Sequence, residues 1–183
     1  MTDAEQAHGR SDDGREVLDD AEAEAVARAL SSPLRLRVLR LCAWDARTNK
    51  ELADLLDVNP GTMLHHVRTL VDTGLLAAEA ERAGTRGARE VPYRATGRSW
   101  RAPMVPNQSV VLLETMRQQL VGVDPTEIET TWMGLRINAE HLEELRERMY
   151  RLIEEFKQRG PDPDGDTFSL VTVLHPDLNP PAP

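Results

Sequence analysis

Between Thr48 and Leu75 the chain allows little besides two short helices joined by a tight turn. Thr48-Asn49-Lys50-Glu51 is a capping box. Its threonine accepts from the third amide of the coming helix, and its glutamate reaches back to the cap. The helix it opens carries Leu52, Ala53, Leu55 and Leu56 and ends near Leu56. Asp57-Val58-Asn59-Pro60 is the turn, with Asn59 a favoured N-cap and Pro60 suited to the first helical position. The second helix runs to Thr73 and stops at Gly74, where a left-handed C-terminal cap is expected and Leu75 packs back. At 100° per residue, Val67, Leu70 and Val71 fall within about 80° of Met63. That stripe needs a core on one side only, so the opposite flank faces outward.

The flanking elements supply that core. Val17–Leu30 is predicted helical, with Ala25, Val26, Ala29 and Leu30 apolar. Ser31-Ser32-Pro33 then caps and restarts the chain into a helix over 33–44, where Leu34, Val38, Leu41 and Cys42 share a face. Residues 75–82 and 89–96 are predicted strands around the loop Ala83–Ala88. Val91, Tyr93 and Ala95 alternate onto one face, and Pro92 lacks a ladder donor, which places this strand at a sheet edge.

The ends differ in character. Residues 1–16 are polar and acidic, and a disordered tail is expected there. Residues 103–107 look like a linker, followed by a helix over 108–121 and a strand over 128–137. Asn138 caps a long helix to about Gln158, in which Leu142, Leu145, Met149, Leu152 and Phe156 recur at a 3–4 spacing. Gly160–Gly165 is a loop, 168–174 a last strand, and 177–183 a Pro-rich tail. The expected class is α+β, mainly α: a domain over 17–101, then a small α/β unit over 102–176 built around one long helix.

Charge decides what such a chain can meet. The net charge is −9, which by itself disfavours nucleic acid. Its distribution reverses that. Residues 1–30 hold 3 basic and 9 acidic groups, residues 31–101 hold 12 and 8, and residues 102–183 hold 7 and 14. The one basic excess coincides with the capped helices. Screening over about 8 Å at physiological salt makes local charge the relevant quantity. No apolar run approaches the roughly 20 residues of a membrane span. The N-terminus lacks signal-peptide character, and Cys42 is the single cysteine, so a cytoplasmic location is expected. Neither a nucleophile motif nor a phosphate-cradling glycine loop is present, and no enzymatic activity is expected.

Helix, helix, tight turn, helix and hairpin is the order of a winged helix-turn-helix. The segments SSPLRLRVLRLC, TNKELADLLDVNPGTMLHHVRTLVDTGLL and VPYRAT, in that order over about 25–97, resemble an ArsR-type winged helix domain. The resemblance implies a DNA-binding transcription regulator, with repression the expected mode, acting as a homodimer on a pseudo-palindromic operator. It also implies pairing through the helices at 17–30 and 108–121. The rival reading is a winged-helix protein–protein interaction module that has lost DNA binding, which the acidic flanks would suit.

A helix lying in the major groove reads bases with its outward, N-terminal part. The candidates are therefore Gly61, which lets the backbone approach, and Thr62, His65, Arg68 and Thr69 on the same flank. Asn59 and nearby amides suit a phosphate. Arg86 and Arg89 on the hairpin suit the minor groove or phosphates, as does Arg82. Lys50 and Arg35 are candidates for backbone contact, though Arg35 suits a structural pair equally well. The plainer alternative for each is an ordinary solvated side chain. His66, at the rim, fits a structural hydrogen bond.

No cofactor is expected. Helices 48–56 and 108–121 lack histidine, and Cys42 lies on an apolar face, so no metal site is expected either. The long helix reads as core plus dimer seam. A pocket for an unidentified small-molecule effector, lined by Trp132 and Phe168, is its alternative.

Overall fold

The computed structural model describes residues 18–84, 89–100, 102 and 108–178. The expected acidic tail over 1–16, the hairpin residues 85–88 with Arg86, the linker 103–107 and the end of the Pro-rich tail lie outside the described residues. The described chain is mainly α, with small antiparallel sheets, an α+β fold. It divides into two units, one ending at Gly122 and the other beginning at Val123.

In the first unit, α1 (Asp20–Leu30) starts where Asp19 Oδ1 accepts the Glu22 amide at 2.8 Å. It buries Val26, Ala29 and Leu30. α2 (Pro33–Leu41) opens at Ser32 with Pro33 in the first position, as the Ser-Pro signal predicts. It stops short of residue 44 because the Cys42 carbonyl turns to accept the Ala95 amide at 2.9 Å. Cys42 itself is fully buried. Burial pushes its thiol up to about 11, so it behaves as a small apolar group rather than a reactive one.

α3 (Asn49–Leu56) carries the complete capping box. The Glu51 amide donates to Thr48 Oγ1 at 3.2 Å and the Thr48 amide donates to Glu51 Oε2 at 2.7 Å. The Thr48 amide above all, with the Thr48 hydroxyl and Arg82, holds the Glu51 carboxyl below the usual glutamate value. Replacing Thr48 with Ala removes the cap, and unfolding free energy measured by urea titration should fall by about 0.5–2 kcal/mol. An unchanged denaturation midpoint would show that the cap contributes nothing to stability.

α4 (Pro60–Asp72) buries Met63, Val67 and Leu70. These meet Leu30, Val38, Leu52 and Leu76 in one core. At its end Gly74 takes φ 67°, and the Leu75 amide reaches back to the Leu70 carbonyl at 2.9 Å. The left-handed cap and the packing of Leu75, 1% exposed, follow as expected.

The strands differ from expectation in one instructive way. β1 (Arg47–Thr48), β2 (Leu76–Ala78) and β5 (Pro92–Ala95) form a sheet in the order β1-β5-β2. The Pro92 strand is therefore central, not an edge. β1 is only two residues long, and Pro92 is the first residue of β5, paired with Thr48. The missing donor thus falls where the ladder ends, and Pro is tolerated at a strand's first residue. On the other side Leu76, Ala77 and Ala78 oppose Ala95, Arg94 and Tyr93. β3 (Arg82–Ala83) and β4 (Arg89–Glu90) pair farther out along the hairpin.

α5 (Gln108–Gln119) packs on α2 and belongs to the first unit. The first of the two units accordingly extends to Gly122 and includes this helix. Val110, Leu112 and Leu113 on α5 remain exposed.

The second unit holds α6 (Ala139–Arg159), capped by Asn138, whose Oδ1 accepts the His141 amide at 2.8 Å. The expected strands at 128–137 and 168–174 are not formed: no ladder involves them among the described residues. A strand exists only against another, and neither segment meets one here. The reading of α6 as core over that sheet is corrected with it, since α6 has no buried residue. Trp132 is 96% exposed and Phe168 82%, so they line no pocket within this unit. No described helix is long and apolar enough to cross a membrane.

Candidate nucleic-acid interface

The geometry of α4 against α3 is set by three local devices. Asp57 adopts the left-handed conformation at φ 51°, which aspartate tolerates better than most residues, and ends α3 without a glycine. The Val58 amide then reaches the Ala53 carbonyl at 3.0 Å. Asn49, the first residue of α3, donates from Nδ2 to the Pro60 carbonyl at 3.0 Å, tying the start of one helix to the start of the other. Sequence reasoning missed that role for Asn49. A polar residue inside a capping box gives no local signal of a partner eleven positions away.

With Met63, Val67 and Leu70 fully buried, the other flank of α4 faces solvent. Asn59, Gly61, Thr62, His65 and Arg68 are all exposed, and Thr69 is half-buried. Among the described residues no ion pair or hydrogen bond engages the Arg68 guanidinium or the Lys50 ammonium, and Lys50 is exposed at the start of α3. Asn59 Oδ1 accepts the Gly61 amide at 2.8 Å. A Cβ at residue 61 would stand 3.2 Å from that oxygen, so glycine keeps both the cap and the backbone's approach open. Thr69 donates its hydroxyl to the His65 carbonyl at 3.0 Å, which leaves the oxygen as an acceptor.

The two histidines diverge. His65 points outward. His66 is half-buried, and burial, then Arg35, then His65, hold it below the ordinary histidine value. It is thus neutral at pH 7. The hydrogen bond expected of it is not seen at Nδ1, which is buried with no partner among the described residues.

The remaining cations are partly committed. Arg35 donates from Nε to the Ala29 carbonyl at 2.5 Å and also to the Arg28 carbonyl, so its head closes the C-terminus of α1. Arg82 pairs with Glu51 at 2.5 Å and ties the hairpin to α3. Arg89 faces Glu81 at 3.1 Å with its side chain 83% exposed, a surface pair worth about 0–1 kcal/mol and easily exchanged. Arg94 joins Glu79 and the Trp44 carbonyl. Arg98 donates to the Thr73 carbonyl at 2.8 Å, a cation at the C-terminal end of α4. Neither Arg94 nor Arg98 was singled out from the sequence, because their partners lie far along the chain. Among the described residues no three His, Cys, Asp or Glu side chains gather to hold a metal ion.

A family model described as a helix-turn-helix domain matches residues 30–78. No curated protein matches the sequence. The chain is similar to an ArsR-like transcriptional regulator from Rhodococcus sp. RHA1, at 25% identity over 55% of this chain and 82% of that one, with a TM-score of 0.38. It is similar to a homodimeric winged helix-turn-helix DNA-binding domain (fragment 1-100) from Mycobacterium bovis, a possible ArsR-family regulator. That likeness is 24% identity over 68% and 98% of the two chains, TM-score 0.36. It is also similar to an S. aureus MepR mutant bound to an oligodeoxyribonucleotide, at 15% identity over 75% and 86%, TM-score 0.34. The matched residues 30–78 hold α2, the α3–turn–α4 unit and β2, whose antiparallel partner is β5.

Proposed function

We propose that this chain is a sequence-specific DNA-binding transcriptional regulator that acts as a homodimer on a pseudo-palindromic operator, with repression as its mode. The observation that carries this reading is the exposed flank of α4. Gly61, Thr62, His65 and Arg68 present one close-approach point, two hydrogen-bonding groups and one uncommitted cation along a helix whose other side is fixed in the core. That is the arrangement a major-groove helix needs. Asn59 and Thr69 flank it. Lys50 and Arg89 extend it toward phosphates, and Arg86 is proposed to join them. Arg35 has the weakest place in this set, since its guanidinium already serves two carbonyls. Two copies would set their α4 helices about 34–36 Å apart on successive major grooves. The apolar residues that α5 leaves exposed support such pairing.

The test is a titration of the DNA upstream of the chain's own gene, with excess non-specific competitor. Arg68→Ala should weaken specific binding by about 1–3 kcal/mol if the guanidinium reads a guanine, while leaving folding unchanged. Full affinity in that variant would remove Arg68 from the contact set. Absence of any specific complex with the intact chain would favour the protein-interaction module instead.

A further inference from the structure

The capping-box segment Thr48–Glu51 touches three other parts of the first unit. Thr48 pairs with Pro92 where β1 meets β5. Asn49 Nδ2 donates to the Pro60 carbonyl at the start of α4, at 3.0 Å. Glu51 divides its carboxylate between two partners. Its Oε2 accepts the Thr48 amide at 2.7 Å, and its Oε1 accepts Arg82 Nη2 from β3 at 2.5 Å. Sheet, reading helix and hairpin are thus all tied to one short stretch of chain.

The outer hairpin needs such a tie. β3 and β4 form a ladder separate from the β1-β5-β2 sheet. Between the pairs Ala78↔Tyr93 and Arg82↔Glu90, one strand has three residues, 79–81, and the other has two, 91–92. One extra residue in an antiparallel pair is a bulge, which interrupts the ladder and bends the strand. The direction of β3 and β4 is therefore not handed on by the sheet. The Glu81–Arg89 pair closes within the hairpin and leaves that direction open. Arg82 instead crosses 31 positions to reach α3.

We infer that Glu51 is a positioning residue: through Arg82 it braces the β3–β4 hairpin against α3, so that hairpin and α4 meet DNA at a fixed separation. Arg82 is then spent on the brace and binds no phosphate itself. With the two side chains 45% and 41% exposed, the pair adds little to stability. Its effect is on direction. A hairpin cation such as Arg89 holds a phosphate only if it arrives at the backbone when α4 is seated in the groove. A hairpin already held in place also loses less freedom on binding.

The consequence for DNA rests on the regulator reading, whereas the brace itself is measurable without DNA. Glu51→Gln is the informative variant. Glutamine completes a capping box as glutamate does, so the urea midpoint should hold, but it offers Arg82 no charge. In the free full-length chain, NMR backbone order parameters at Arg82, Ala83, Arg89 and Glu90 should fall from about 0.85 to below about 0.6, while α3 and α4 keep theirs. On operator DNA, binding should weaken without a change of sequence preference. The slope of log affinity against log salt should shrink by about 1 for each phosphate the hairpin loses. The direction is decisive, because removing an anion beside a polyanion strengthens binding on charge alone. Arg82→Ala, which leaves the cap intact, should match Glu51→Gln in both measurements. The double variant should lose no more than either single one, as groups acting as one unit do. Three results would overturn the inference: order parameters unchanged in both variants, DNA affinity equal or higher in Glu51→Gln, or an Arg82→Ala loss that exceeds that of Glu51→Gln and adds to it, which would make Arg82 a phosphate contact. Absence of a specific complex with the unaltered chain would strike the regulator reading alone, since the order parameters still decide the brace.

Discussion

Raising salt from about 50 to 200 mM should weaken operator binding by roughly 10³–10⁵-fold, if the dimer neutralises about six to ten phosphates. The sign of this effect is itself informative. A chain of net charge −9 is repelled as a whole by a polyanion. If that overall repulsion governed the encounter, added salt would strengthen binding. The proposed interface predicts the reverse, because residues 31–101 hold 12 basic against 8 acidic groups and the acidic segments lie outside them in sequence. Each Lys or Arg that meets a phosphate releases condensed counterions, and the entropy of release shrinks as bulk salt rises. The measurement is a set of anisotropy titrations at several salt concentrations. The slope of log affinity against log salt gives the number of phosphates directly. A flat line would contradict a phosphate-anchored complex. Lys50→Ala should reduce that slope without altering sequence preference, since a phosphate contact carries no base information.

Leu70→Ala should lower the unfolding free energy by about 2–5 kcal/mol, a large part of the roughly 5–15 kcal/mol typical of a domain. Leu70 is 0% exposed and sits on α4 beside Met63 and Val67 in the common core. Truncation removes its transfer free energy and leaves a cavity among helices that cannot close on it freely. Leu55 on α3 is the internal control. It is 53% exposed, and its truncation should stay within about 0.5 kcal/mol. Urea titrations of the two variants make the comparison, and equal losses would refute the assignment of faces. The pair Leu70 and Arg68 separates structure from contact: two positions apart, one should change stability and the other DNA affinity.

The legible parts of this chain are those written within a few residues of one another. The Thr48–Glu51 capping box, Ser32-Pro33, Asn59-Pro60 and the Gly74 stop each formed where the local pattern placed them. The stripe of Met63, Val67 and Leu70 is inward, and the flank from Gly61 to Arg68 outward. Other features were not legible. The Pro92 strand is central because a two-residue strand from before α3 returns to it, a pairing that no periodicity announces. Arg35 suited a phosphate or an internal partner equally, and only the fold brought it to the carbonyls of α1.

From its sequence alone, this protein's helices, their capped ends and the side that α4 turns to its core were determined, because hydrogen bonds and side-chain neighbours three or four positions apart control them. Tertiary structure decided which cations are spent and which are available. Arg98 finds Thr73 across 25 positions and Arg94 finds Trp44 across 50, and such meetings depend on how the chain closes on itself. It also decided that residues 123–178 have no core of their own. Alternating apolar residues specify a face to be covered, and only packing specifies by what.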